Sequence, residues 1–579
     1  MTVDPTTLAV VRGWLQQIAD EMDTVLVRSA FSTVISEQYD RACGLFEADS
    51  GGTIVQGRTG LPVFVGSMQF AVQSLLPRLR QRGVAPGDVW MLNDPYLAGT
   101  HLHDFKLVKP FFWDGRLMLY LAATGHWMDV GSSHPGGWNP RATEILQEGI
   151  RVTPVRVVRQ GQLDEDVLEL VLANVRLPEE ARGDFEAKLS ALHVGEHRLT
   201  ALFQRYGPAT IMAAIAELRR RSAAHVRSYI AEIPNGTYHF VDHLDDDGIT
   251  DAPLRIELTL TVADTELTFD FSGSSPPCRG PYNTPAANTM TGCYIAIKHL
   301  FPDVPLNAGA FEPLHFVIPE HCFLNARFPQ PHEGYLDVMC RVMDTVLGAM
   351  AQAVPERAVG APFSTLPIFS LAGTHPATGK YYVTILIMGG GYGGSRESDG
   401  LPNAALPIGL ARTAAVEVME QRFPIRYHAF ALRADSGGAG MHTGGCGGEC
   451  EVELLAPEAM ASNMADRTRF APFGVQGGRE GAKTEILLRQ DGVVRRLTKE
   501  TGIVLRQGDR ITLRYPGGGG YGDPLARPPA LVARDVRRGY VSRERAEREF
   551  GVVFRPGSLE IDEAATRARR GESPPVPAT

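Results

Sequence analysis

No stretch of this 579-residue sequence approaches the roughly 18 consecutive apolar residues that mark a membrane span, so no membrane association is expected. The first residues, MTVDPTTLAVVRG, lack a basic segment leading into a long apolar core, which gives no sign of a secretory signal. Cysteine is scarce. Seven residues, an odd number with no CxxC spacing, exclude a disulfide framework and fit a reducing cytoplasm; Cys446 and Cys450, four apart in a glycine-rich run, are only a weak metal signal. Positive charge is also short: the formal net charge of −9 argues against a nucleic-acid partner, because phosphates demand clustered Lys and Arg. Arg219-Arg220-Arg221 is a local exception and reads as a solvated helix face beside Glu217. There is no Walker motif, so any ATP used in the reaction is expected on another chain. There is no GxSxG elbow to support Asp435, Ser436 and His442 as a hydrolase constellation, and MGGGYGGSRESDG meets GxGxxG only loosely before running into polar loop.

What remains has an ordinary globular composition, 44% hydrophobic and 21% charged, on a chain too long for one core. Leu8, Val11, Leu15, Ile18, Met22 and Val25 recur at helical steps and predict a helix with one buried stripe. The whole reads as an α+β, multidomain protein with mixed sheets. We expect a helical and hairpin metal-site domain over 1–175, a helical segment over 176–235, and an α+β domain over 236–360. A β-rich, glycine-loop-rich domain over 361–530, a helical segment over 531–565 and a disordered tail over 566–579 follow. Asp245-Asp246-Asp247-Gly248 fails the calcium-loop pattern and reads as a solvated turn.

The chemistry concentrates in NDPYLAGTHLHD, residues 93–104, where a strand is expected to end. Beyond it, two strand-like runs flank Asp114-Gly115, a strong signal for a two-residue hairpin. In the unbulged register Trp113 faces Arg116 and His103 faces His126, with Cβ atoms about 4.5–5.5 Å apart. Pro110 cannot donate to the ladder, so it predicts an edge strand or a bulge, and a single bulge brings Asp104 opposite His126 instead. In either register His101, His103, Asp104 and His126 converge, with Asp129 close behind in HWMD. Imidazoles and carboxylates without thiolate suit Zn, Mn or Fe in an open site, where the ion lowers the pKa of a water or polarises a carbonyl.

NDPYLAGTHLHD, GHWMDVGSSHPGG and TEILQEGIRVTPV resemble the signature blocks of the hydantoinase B/oxoprolinase family, the metal-carrying subunits related to N-methylhydantoinase, 5-oxoprolinase, caprolactamase and the acetone and acetophenone carboxylases. EQYDRACGLF, VDHLDDDGI, FDFSGSSP, PLNAGAFEP, DSGGAGMHTGG and PGGGGYGDP extend the resemblance over most of residues 7–555. It implies that His101, Asp104 and His126 hold one divalent metal, joined by Asp40 of EQYD as in lactamase-type members. His103 stands where the family commonly has proline; it and Asp129 are the candidate catalytic groups, and the role of His103 as an orienting group, a substrate contact or neutral variation stays open. Asp94 and Asp129 match family blocks and are expected to orient ligands or a water.

The resemblance further implies a cytoplasmic heteromer whose hydantoinase A-like partner carries ATP-Mg. The expected activity is hydrolysis of a cyclic amide (hydantoin, oxoproline or lactam): the partner phosphorylates the amide oxygen and water activated at the metal attacks the carbon. Ketone carboxylation of the acetone or acetophenone carboxylase type is the alternative, and a non-catalytic scaffold subunit a second one. The intact set Asp40, His101, Asp104 and His126 argues against the scaffold. A gene for a small third subunit nearby would favour carboxylation.

Overall fold

The computed structural model describes residues 3–409 and 411–571. It begins with the helix Pro5–Ser29, whose free N–H groups at Thr6 and Thr7 are accepted by the side chain of Asp4. Leu8, Val11, Leu15, Ile18 and Met22 form its buried stripe. Seven strands then build one sheet: β1 (Arg41–Glu47), β2 (Thr53–Gln56), β3 (Val89–Leu92), β4 (Asp104–Trp113), β5 (Arg116–His126), β6 (Val155–Arg159) and β7 (Gln162–Leu163), in the order β2-β1-β5-β4-β3-β6-β7. Alternation along β1 sends Cys43 and Leu45 to one face and Ala42 and Phe46 to the other. The first face is covered by Pro5–Ser29 and the helix Pro178–Tyr206, the second by the helix Pro62–Arg82.

Behind Pro62–Arg82 lie the helices Ala286–Leu300 and Tyr335–Ala353, the latter backed by a four-stranded sheet of β8 (Gly236–Leu244), β9 (Leu254–Ala263), β10 (Glu266–Asp270) and β11 (Leu314–Val317). Tyr335–Ala353 is buried almost all round, and its polar residues survive there because they are paired: Arg341 with Asp466, and Asp344 with Arg467. The C-terminal half holds two more sheets. Ile368–Thr374, Tyr381–Leu386, Glu458–Met464 and Glu500–Arg506 form one, and Ile425–Leu432, Gly448–Leu454, Glu485–Gln490, Val493–Leu497 and Arg510–Arg514 the other. Glycine loops knit them together backbone to backbone. Gly518 donates to Gly445 O at 3.1 Å and its carbonyl accepts from Gly438 N at 2.8 Å, so close that a Cβ there would lie 2.0 Å from Tyr392 O.

The α+β, multidomain, mixed-sheet architecture is as the sequence predicts. Two local expectations change, and of the two readings of Pro110, edge strand or bulge, the bulge is the one found. Pro110 is not on an edge strand, since β4 lies between β5 and β3; β3 pairs only with residues 106–108 of β4, so Pro110 sits past its end, and the ladder to β5 is bulged at Phe111/Phe112. The Asp245–Gly248 stretch is no solvated turn: Asp245 and Asp247 are buried, accepting backbone N–H groups from 468–470 and from 279 and 280 respectively. Residues 566–570, expected in a disordered tail, complete the helix Glu563–Arg570; residues 572–579 of that tail lie outside those described. Among the described residues no helix is long and apolar enough to cross a membrane, and all seven cysteines are free thiols.

Candidate metal centre

Three adjacent strands bring the site together at one end of the seven-stranded sheet. β1 starts just after Asp40, β5 ends at His126 and β4 starts at Asp104. The Asp114-Gly115 turn forms with both residues at positive φ (47° and 73°), and the bulge sets the register at Asp104 opposite His126, leaving His103 outside the ladder. His126 N–H donates to Asp40 O at 3.1 Å, which ties the third strand to this corner. The loop carrying His101 is held from behind: Asn93 donates to Leu102 O at 2.6 Å and to Ile150 O at 2.9 Å, and buried Lys106 reaches Thr100.

His101 Nε2 lies 3.1 Å from His126 Nδ1 and 3.4 Å from Asp104 Oδ1, and His126 Nδ1 lies 3.7 Å from the same oxygen. All three side chains are buried, and among the described residues neither Asp104 oxygen nor His126 Nε2 has a hydrogen-bonding partner. A buried carboxylate with both oxygens unpaired, beside two imidazoles, is costly unless a cation satisfies it, so this donor set fits a divalent ion. The electrostatics agree. Burial alone would lower His101, yet the neighbouring carboxylates of Asp104 and Glu333 raise it to about 10. Burial lowers His126 to about 3, leaving it neutral with a lone pair to give. Asp40 lines the same cavity without joining the tight group; burial and the neighbouring Asp104 raise it to about 7.

Glu333 escaped the sequence reading. Its Oε1 sits 2.8 Å from His101 Nδ1, so the imidazole is held by a carboxylate on one nitrogen while the other faces Asp104 and His126. Glu333 is placed by Glu148, of the TEILQEG block, which accepts the N–H groups of His332 and Glu333 at 2.8 and 3.0 Å. Nothing local in PHEGY announces this; Glu333 is 232 residues from His101.

The two candidate catalytic groups lie elsewhere. His103 is wholly buried, stacked on His126 (4.7 Å between ring centroids, 6° apart), 3.4 Å from Glu333 and pressed against Gly137. Together with His101 and Glu333 it forms a second group of ligand type, behind the first. Asp129 accepts from Gly131 N, Gly136 N, Arg176 N and the Arg176 guanidinium, all at 2.9–3.0 Å, so both its oxygens organise loops. Neither residue lines the cavity. Asp94 caps the turn Pro95–Ala98 through Tyr96 N at 3.1 Å and stands 3.8 Å from Arg151, which supports the loop and not the ligands directly. Ser436 of the glycine loop donates to Arg433 O and accepts from Gly447 N, a structural pairing.

The cluster opens into a cavity of about 510 Å³ whose far walls are Ile368, Ile385, Ile387, Met388, Leu406 and Ile408. A larger cavity, about 850 Å³, borders the N-terminal helix and β2, and none of the ligand-type groups lies in it; the smaller one is where the chemistry sits.

With this geometry in hand, comparison with known proteins decides the family: the hydantoinase B/oxoprolinase family model matches residues 4–524. The chain belongs to the hydantoinase B/oxoprolinase family. Within that family it is 34% identical to the caprolactamase subunit beta of Pseudomonas jessenii, over 98% of this chain and 99% of the relative. The crystal structure of the ATP-dependent caprolactamase from Pseudomonas jessenii matches 99% of this chain and 100% of its own at a TM-score of 0.92 and 32% identity. A nucleotide-free acetone carboxylase structure shares the fold (TM-score 0.90, 98% of this chain and 82% of the other) at 20% identity.

Proposed function

We propose that this chain is the metal-binding subunit of an ATP-dependent cyclic-amide hydrolase. The observation that carries the reading is the buried His101–Asp104–His126 cluster facing an apolar cavity, in a chain similar along its length to a caprolactamase subunit. His101, Asp104 and His126, with Asp40, would hold one Zn, Mn or Fe ion, which when bound lowers the pKa of a water and polarises a carbonyl. The chain's own residues do the rest. Glu333 fixes which nitrogen of His101 faces the ion, His126 offers a neutral imidazole, and the isoleucine-rich wall excludes bulk water from the reacting amide. His103 and Asp129 act in support: His103 buttresses the His126 ring and Glu333, and Asp129 fixes the loops at 131–136 and 176. A hydantoinase A-like partner brings ATP and activates the amide oxygen, a division consistent with the subunit naming of the caprolactamase relative.

Co-expression with a hydantoinase A-like subunit, followed by turnover of lactams, hydantoins and ketones with and without bicarbonate, tests this. ATP-dependent ring opening of a cyclic amide is expected, with no ATPase from this chain alone. Consumption of ketone and bicarbonate without any amide opening would overturn it.

A further inference from the structure

A solvent-exposed arginine borders the cavity beside the metal cluster, and the proposed reaction leaves it unused. Arg412 is the only lysine or arginine among the described residues that line it. Its position is fixed at two points. The backbone N–H donates to Gln38 O at 2.8 Å, and the guanidinium lies over the ring of Tyr39, 4.3 Å from the centroid. No carboxylate pairs with it among the described residues, unlike Arg41 on the same tyrosine, whose charge is taken by Asp23 at 3.1 Å. A guanidinium held over a ring by a cation–π contact still has N–H groups to offer a planar or tetrahedral oxyanion.

Tyr39 is itself unusual. It holds φ at 63°, a left-handed conformation that a bulky side chain adopts only when its surroundings enforce it. That turn aims the next residue, Asp40, at the cavity while its ring carries Arg412, so the ligand corner and the cation share one support. The rest of the lining makes the cation conspicuous. An anionic group entering here meets Leu61, Phe64, Ile368 and Ile387, which cannot solvate it, and Asp40 and Asp104, which repel it. Among the described residues that line the cavity, Arg412 carries the permanent positive charge that can compensate.

We propose that Arg412 is the oxyanion-binding residue of this site: it meets a phosphoryl or carboxylate group carried by the substrate while the substrate's ring lies against the apolar wall. The assignment builds on the cyclic-amide reading above and adds a specificity residue to it. Both sources present the same chemistry, and they differ in which substrates would need the arginine. A carboxylate belongs only to rings such as oxoproline. A phosphoryl group is acquired by every amide that the partner activates.

The test compares wild type, Arg412→Ala and Arg412→Lys in the full heteromer, on an unsubstituted lactam and on 5-oxoproline, with metal content and ATP cleavage measured alongside. Arg412→Ala is expected to lose roughly 10- to 100-fold in kcat/KM, the worth of one or two charge-assisted hydrogen bonds, with metal content unchanged and partial recovery in Arg412→Lys. Loss on both substrates supports the phosphoryl source; loss on 5-oxoproline alone supports the carboxylate. Unchanged kcat/KM on both, or loss that tracks loss of metal, overturns the proposal. Titration of the metal-free full chain with inorganic phosphate reads the subsite without turnover. If no cyclic amide is opened by wild type, the cyclic-amide reading falls, and this titration decides alone: weaker phosphate binding in Arg412→Ala, restored by Arg412→Lys, upholds the anion site, and equal binding overturns it.

Discussion

Replacing Glu333 by glutamine keeps the shape of the side chain and removes the charge that faces His101 Nδ1 at 2.8 Å. Both groups are fully enclosed, so solvent does not screen the loss. Carboxylate partners of metal-binding histidines are worth about 10- to 100-fold in metal affinity, or about 1.4–2.7 kcal/mol. A second effect opposes this one. In the ion-free protein Asp104 and Glu333 together raise His101 to about 10, so a proton competes with the metal over the whole neutral range. Below that value metal affinity rises with pH as the proton leaves. Without the Glu333 charge, His101 gives up its proton at lower pH, which relieves competition. The metal still loses on balance, because a doubly charged ion feels the missing carboxylate about twice as strongly as a proton does. Competition titration against a chelator from pH 6 to 10 should therefore show Glu333→Gln binding metal more weakly, with a shallower pH dependence that levels off earlier. Wild-type affinity within about threefold, or an unchanged pH slope, would refute the role assigned to Glu333.

His101→Ala and His126→Ala should each reduce bound metal from about one ion per chain to near zero in elemental analysis, with the far-ultraviolet circular dichroism of wild type; full occupancy in both would sink the ligand assignment. Asp129→Asn should leave metal content intact and lower stability by about 1–3 kcal/mol in denaturant unfolding, since it weakens four hydrogen bonds to one buried carboxylate. Gly518→Ala, which would place a Cβ 2.0 Å from Tyr392 O, should destabilise the C-terminal half by about 3 kcal/mol or more, visible as a lower Tm or as insoluble protein; a wild-type Tm would contradict the glycine packing.

Local rules reached far into this molecule because its informative elements are local. The stripe from Leu8 to Met22 lies on one helix, and the Asp114-Gly115 turn fixes a strand pair that carries Asp104 and His126 to the same end. Where those rules stopped is equally physical. One residue of bulge, unmarked beyond Pro110, decided whether Asp104 or His103 entered the ladder opposite His126. The helix Tyr335–Ala353 hid behind its own polar residues, whose partners Asp466 and Arg467 lie more than a hundred positions away.

The sequence by itself determined the family, the α+β architecture and the cluster of His101, Asp104 and His126, since blocks of residues and a hairpin contain that information in contiguous stretches. Only the tertiary structure decided that Glu333 supports His101, that His103 and Asp129 are not among the residues lining the cavity, and that Arg412 borders it. Such facts depend on which buried charges meet across hundreds of residues, and burial without a partner is penalised only once the chain has closed around it.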